Sequence, residues 1–155
     1  MSKDQKINKT VNIKNKKAYF DYHFLETFQA GIQLLGTEVK AIRENNCNLA
    51  DSYCYVKNGE IWIKNMHVSK YEMGTHYNHE PLRDRKLLLT KREIKKIEHK
   101  LKDKGITLIP VRIYVNERGW IKVELALAKG KKLYDKREDI KQRDMKREIE
   151  RSLNM

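Results

Sequence analysis

Trp120-Ile121-Lys122-Val123-Glu124-Leu125-Ala126-Leu127 is a strongly alternating apolar run. The next ten residues, Ala128-Lys129-Gly130-Lys131-Lys132-Leu133-Tyr134-Asp135-Lys136-Arg137, set five cations around one glycine, one tyrosine and one acid. Period-two alternation marks a half-buried strand. Ile121, Val123, Leu125 and Leu127 share one face, and Lys122 and Glu124 the other. Beyond Arg137 the chain is almost wholly charged through Arg151. A folded body is therefore expected to end at Ala128 and a basic tail to occupy residues 129–155. Clustered Lys and Arg around an aromatic suit a phosphate backbone and stacked bases; taken alone, such a run reads equally as a solvated surface.

Working outward, residues 107–115 lead through Asn116-Glu117-Arg118-Gly119 into that strand, which predicts a hairpin. Ahead of it, Thr90 and Glu93 form a capping box, Ile94, Ile97 and Leu101 a buried stripe, and Gly105 a C-terminal stop. Lys91, Arg92, Lys95, Lys96 and Lys100 cover the outside, and Arg83 to Leu89 passes from basic to apolar on the way in. Ser52–Lys57 and Glu60–Lys64 alternate about Asn58-Gly59, the strongest short hairpin signal in the chain. Asn45 to Ala50 reads as loop, and Tyr71 to Asp84 as a long surface loop. His76 and His79 lie in it without a third ligand at a matching spacing, so no metal site is expected.

Thr37 to Arg43 reads as a short helix capped by Thr37, with Lys40 and Arg43 either on phosphates or on a solvated face. Phe28 to Gly36 reads as strand, as does Tyr19 to Leu25. The aromatics of the latter are expected chiefly in the core, with Phe20, beside Lys16 and Lys17, a candidate for base stacking. Residues 1–11, with Lys3, Lys6 and Lys9 against Asp4, read as a mobile basic arm, and 12–128 as the body. The fold expected is mainly β with helices: a small antiparallel OB-like barrel, about three flanking helices and the basic tail.

The chain has 155 residues and a formal net charge of +13, with 39% apolar residues, enough for one modest core. That charge favours a polyanionic partner, with an anionic membrane surface as competitor. No apolar run reaches the roughly 18–20 residues that span a bilayer, and the N-terminus lacks an apolar signal core. Cys47 and Cys54 fit neither a zinc pattern nor a disulfide framework, so reduced thiols in a cytoplasm are expected. Seven glycines are too few for a nucleotide loop, and GxxxxGK[ST], GxSxG and HExxH are all missing from the sequence. A binder without cofactor or catalytic residue is expected; a general structured-RNA protein and a nucleic-acid enzyme remain the other readings.

Asn15-Lys16-Lys17-Ala18, Ala30-Gly31-Ile32, Gly36-Thr37-Glu38-Val39-Lys40, Asp51-Ser52-Tyr53, Arg85-Lys86-Leu87-Leu88-Leu89, Ala128-Lys129-Gly130-Lys131-Lys132 and Asp135-Lys136-Arg137 recur in this order and spacing in one family. Through them the chain resembles, across almost its whole length, the SsrA-binding protein family, also called small protein B. The resemblance implies an OB-type barrel that binds the tRNA-like domain of transfer-messenger RNA and carries it to stalled ribosomes for trans-translation. It also implies a tail disordered when free and helical in the empty mRNA channel by the small-subunit decoding centre. Elongation factor Tu would join through the charged RNA, and a cytoplasmic monomer is expected.

Carried over by position, the RNA face is expected to include Asn15, Lys16, Gln29, Gly31, Leu88, Thr90 and the start of the tail, Lys129, Gly130, Lys131 and Lys132. Lys17, Phe20, Lys40 and Arg43 join these as candidates. The ribosome-binding tail is expected to use Tyr134, Asp135, Lys136, Arg137, Ile140, Lys141, Arg143, Lys146 and Arg147. Two positions depart from the pattern. Gln29 stands where Glu is common, keeping hydrogen bonds but losing charge, and Thr90 stands where Asn or His is usual.

Overall fold

The computed structural model describes residues 11–73 and 78–153, with side chains throughout except at 133–135. In chain order it contains β1 (Asn12–Lys14), α1 (Lys16–Asp21), β2 (Tyr22–Ile32), α2 (Gly36–Arg43), β3 (Cys47–Asn48), β4 (Tyr53–Lys57), β5 (Glu60–Lys64), β6 (His67–Val68), β7 (Arg85–Leu88), α3 (Lys91–Leu101), β8 (Ile106–Val115), β9 (Ile121–Gly130) and α4 (Leu133–Leu153). One antiparallel sheet runs β1-β8-β4-β5-β7-β2-β9. Because β8 also pairs with β9, the sheet closes into a ring, with β1 added along the outer half of β8. β3 and β6 form a separate small ladder.

Closure needs bends, and the ladder breaks at two places. The register shifts between Phe24 and Glu26 in β2, and between Pro110 and Arg112 in β8. Such irregularities bend a strand and sharpen its twist, and proline, lacking an N–H, is tolerated there. The Asn58-Gly59 turn closes β4–β5 with φ of 52° and 71°, the two left-handed values a two-residue hairpin requires.

Inside the ring, Phe28, Ile61, Ile63, Leu87, Leu108, Ile113, Val123, Leu125 and Leu127 form the core, joined by Ile42 of α2 and Ile97 of α3. α3 begins as its sequence predicts. The Thr90 hydroxyl accepts from Glu93 N at 3.2 Å, and the Glu93 carboxylate accepts from Thr90 N at 3.0 Å. Burying each large aliphatic side chain contributes about 1.5–3 kcal/mol. A second small core lies on the outside of the ring, where Ala18 of α1 meets Ile109, Val111, Ala126 and Ala128. The alanines leave the strand surface low enough for the helix to approach.

Four expectations change. Tyr19 to Asp21, expected as the start of a strand, belong instead to α1, because Asn15 caps that helix and ties it to β8. Thr37 does not cap α2. Glu38 reaches back to accept from Leu35 N at 2.7 Å, while the Thr37 hydroxyl lies 2.8 Å from His79 Nδ1. Val11, assigned to the arm, is buried, and its carbonyl accepts from Val115 N at 3.3 Å; the rest of the arm lies outside the described residues. Cys47 and Asn48, expected as loop, pair with His67 and Val68.

The most demanding interaction in the body is ionic. Glu38 and Arg85 are both fully buried, and Arg83 completes the cluster. Arg85 Nε donates to Glu38 at 2.5 Å and Arg83 Nη2 at 2.6 Å, while Arg85 Nη1 satisfies Met66 O at 2.7 Å. Burial alone would raise the Glu38 carboxyl, but bonds from Arg83 and Leu35 N, with the Arg85 charge, hold it below its usual range. Removing Glu38 leaves the Arg85 charge buried without its carboxylate. Glu38→Gln should therefore lower stability in urea by about 3–5 kcal/mol. The folded pKa lies below the unfolded value near 4.5. The carboxylate's contribution is thus present above pH 4.5 and lost as pH falls from there through the folded pKa. The variant should lack that part of the acid-unfolding curve, as pH-dependent denaturation will measure.

Candidate nucleic-acid interface

Two surfaces collect most of the residues singled out by sequence. The first is the open half of the ring's outer face. Residues that alternate away from the core put Gln29 and Gly31 of β2 beside Glu124 and Lys122 of β9, with Arg112 and Tyr114 of β8 beyond them. Gln29 Nε2 donates to Glu124 at 3.3 Å, and the Tyr114 hydroxyl donates to Gln29 Oε1. Arg112 Nε donates to the same Glu124 oxygen at 3.2 Å, and its guanidinium carbon lies 4.1 Å from the Tyr114 ring centroid. The amide of Gln29 is thus oriented from both ends, and the Glu124 charge is matched by Arg112. Gly31 pairs with Leu88, which is 46% exposed. A Cβ at Gly31 would stand 3.3 Å from the Leu88 Cβ, so glycine lets the leucine lie across the strand. Thr90 follows, exposed and committed to capping α3.

The second surface is a groove between α1 and the start of α4. Lys16, Tyr19 and Phe20 form one wall, and Lys131, Arg143 and Lys146 the other. Lys136 Nζ and the Arg143 guanidinium lie 5.6 and 5.5 Å from the Phe20 ring centroid. Lys131 Nζ donates to Tyr19 O at 3.2 Å and pairs with Asp139, and Lys136 pairs with Asp21 at 3.1 Å. Lys16, Lys129, Gly130 and Lys132 are exposed beside this groove. Paired cations there are partly neutralised; Lys16 and Lys132 lie open to a polyanion.

Several assignments move. Asn15 is buried, and its side chain is fully employed: Oδ1 accepts from Ala18 N at 3.2 Å and Nδ2 donates to Pro110 O at 2.9 Å. The structure thus gives it a capping role. Lys17 pairs with Asp51 at 2.6 Å on the surface, an arrangement of small energetic weight. Lys40 and Arg43 lie on α2, apart from the Gln29 network. Lys40 sits 5.4 Å from the Tyr71 ring centroid, and Arg43 Nη2 donates to Gly119 O at 3.5 Å. In the tail, Arg137, Ile140, Lys141, Arg143, Lys146 and Arg147 are exposed along α4, while the side chains of Tyr134 and Asp135 lie outside the described residues. From Lys141 to Leu153 every residue is exposed, including Met145, Ile149 and Leu153 on one stripe.

Sequence reading passed over Arg112, Tyr114 and Trp120. The alternation held the signal: Trp120 is in phase with outward Lys122 and Glu124, not with the core residues. Among the described residues the histidines and thiols are not gathered into a cluster. His79 is buried between Thr37 and the Val68 carbonyl, and His76 lies outside the described residues. Burial pushes the Cys47 thiol up to about 12 and the Cys54 thiol higher, so both stay protonated. Among the described residues no group of three or more His, Cys, Asp or Glu is placed to hold a metal ion. No described helix is long and apolar enough to cross a membrane.

A closed β ring with an open polar face, a cationic groove and an exposed charged helix defines a small basic protein built to meet a polyanion on more than one side. The family described as SmpB protein matches residues 12–155, and the chain belongs to it. It is 56% identical over 147 residues to the SsrA-binding protein of Cytophaga hutchinsonii, covering 95% of this chain and 96% of that one. It is also 56% identical to the SsrA-binding protein of Thermosipho africanus, over 87% and 91%. A solved structure described as "tmRNA-SmpB: a journey to the center of the bacterial ribosome" superposes with a TM-score of 0.68 at 44% identity. That match covers 80% of this chain and 87% of the other.

If Asn15 serves the fold in the way its bonds indicate, Asn15→Ala should cost about 1–3 kcal/mol, from a lost cap and an orphaned carbonyl. Thermal unfolding at neutral pH measures it; an unchanged midpoint would contradict the assignment.

Proposed function

We propose that this chain binds the tRNA-like domain of transfer-messenger RNA and delivers it to stalled ribosomes for trans-translation. The observation that carries the reading is the match, over nearly the full length of both chains, to proteins named SsrA-binding protein. The surface chemistry agrees with it. A-form RNA offers little sequence in reachable grooves, so a protein holds it by shape, by phosphate contact and by stacking on unpaired bases. The open face around Gln29, Gly31, Leu88 and Thr90 supplies a flat polar and apolar rest. Lys16, Lys129, Lys131 and Lys132, with Gly130 between them, would supply phosphate contacts from the other end of the β2–β9 ladder, beside α1. Lys40 and Arg43 engage the RNA or ribosome from the α2 side.

The tail would serve a second partner. Tyr134 to Arg147 would enter the mRNA channel near the decoding centre as a helix. Outside the ribosome the helix meets the body as far as Arg143 and Lys146 beside α1, and the exposed stretch beyond has little to hold it. Asp144 and Glu148 repel at i,i+4, and an isolated helix of this length is marginal in water. Elongation factor Tu meets the complex through the charged RNA. The protein acts in the cytoplasm as a monomer, without a cofactor and without catalysis of its own.

Equilibrium binding to a transcript of the tRNA-like domain, titrated with salt and competed with ordinary tRNA, tests the proposal. Binding should survive excess tRNA, with a log–log salt slope of roughly −0.7 to −0.9 per phosphate engaged. Equal displacement by any tRNA would favour a general structured-RNA protein instead. Truncation after Lys132 should leave this affinity nearly intact and abolish peptide tagging; lost affinity would contradict the division of labour.

A further inference from the structure

Trp120 is 65% exposed, the largest apolar side chain standing free of the core. It is not left loose. Asn116 Oδ1 accepts from Arg118 N at 3.0 Å and Trp120 N at 2.9 Å. Asn116 N donates to Trp120 O, and Gly119 N to Asn116 O, both at 2.9 Å. Gly119 takes φ of 83°, a left-handed value that suits glycine, and its carbonyl accepts from Arg43. The β8–β9 turn is therefore fixed from inside and braced by α2. The indole continues the outward row of Lys122 and Glu124, and Lys122 is paired with Gly31 on one side and Tyr114 on the other. Arg118 is exposed two residues away.

An exposed indole on a turn whose backbone is fixed, with a cationic residue two positions away on either side, accepts a nucleobase on the ring and phosphates on the charges. We infer that Trp120 is a base-stacking residue, taking an unpaired base of the same RNA while Lys122 and Arg118 meet the phosphates beside it. The inference rests on the RNA-binding reading above and extends that surface to the hairpin tip.

Trp62 and Trp120 are the two tryptophans of the chain, so Trp62→Phe isolates the signal of Trp120. Titrating that full-length variant with the tRNA-like domain transcript should quench the remaining fluorescence along the binding isotherm. Trp120→Ala should weaken binding roughly 5- to 100-fold, the range for one lost stack. Trp120→Tyr should recover most of the loss and Trp120→Leu little of it. The salt slope should be unchanged in Trp120→Ala and about one phosphate shallower in Lys122→Ala. Wild-type binding with unaltered affinity in a folded Trp120→Ala variant overturns the inference and leaves the adaptor reading standing. Quenching by ribosomes but not by the transcript also overturns it. A wild-type chain that does not bind the transcript overturns both.

Discussion

The pairing of β8 with β9 is the constraint on which the rest of the molecule depends. It runs from Ile106–Lys129 to Val115–Ile121, while the other edge of β8 holds β1 and touches β4. One strand thus serves three neighbours and closes the ring. Once closed, period-two alternation leaves no freedom about which side chains face in. The break at Pro110–Arg112 then divides the outer face. Toward Ala126 and Ala128 the strands carry small residues and receive α1; toward Lys122 and Glu124 they stay open. The candidate interface is the half of the ring that no helix covers.

Charge is handled differently inside and out. The Glu38 cluster joins α2 to β7 and to the loop before it, through Arg83, Arg85 and the carbonyls of Met66 and Pro81. Its worth lies less in net stability than in leaving no alternative partner for two buried ionic groups and a half-buried third. Outside, pairs such as Lys17–Asp51 and Lys96–Glu26 are exposed and contribute little. The surplus of cations therefore remains available to a ligand, concentrated where α1, the end of β9 and the base of α4 meet.

Much of this was legible in the chain. Asn58-Gly59, the Thr90–Glu93 box and the Trp120–Leu127 alternation each carry a local mechanism that the fold does not override. The misses at α1 and Arg85 have a common cause, since each needed a tertiary partner. Tyr19 to Asp21 read as the start of a strand by their aromatics, but the Asn15 cap and the Ala18 contact with β8 decide for helix. Arg85 stands in a basic run, Arg83 to Lys86, and nothing local announces the buried Glu38 that it meets. Asn15 matches a family motif that implies RNA contact, and its bonds to Ala18 and Pro110 add a tie between α1 and β8 that no local pattern announces. Trp120 was read as part of an apolar run, when its phase already placed it outside.

The account separates a rigid ring that holds RNA from an exposed helix that answers to a second partner. Amide hydrogen exchange on the full chain, alone, with the tRNA-like domain transcript and with stalled ribosomes, tests that separation most directly. The account predicts slowed exchange in α1, the end of β7 and the β8–β9 turn with RNA alone, while residues 141–153 slow only on the ribosome. Protection of residues 141–153 by the RNA alone, with an unchanged ring face, would contradict it.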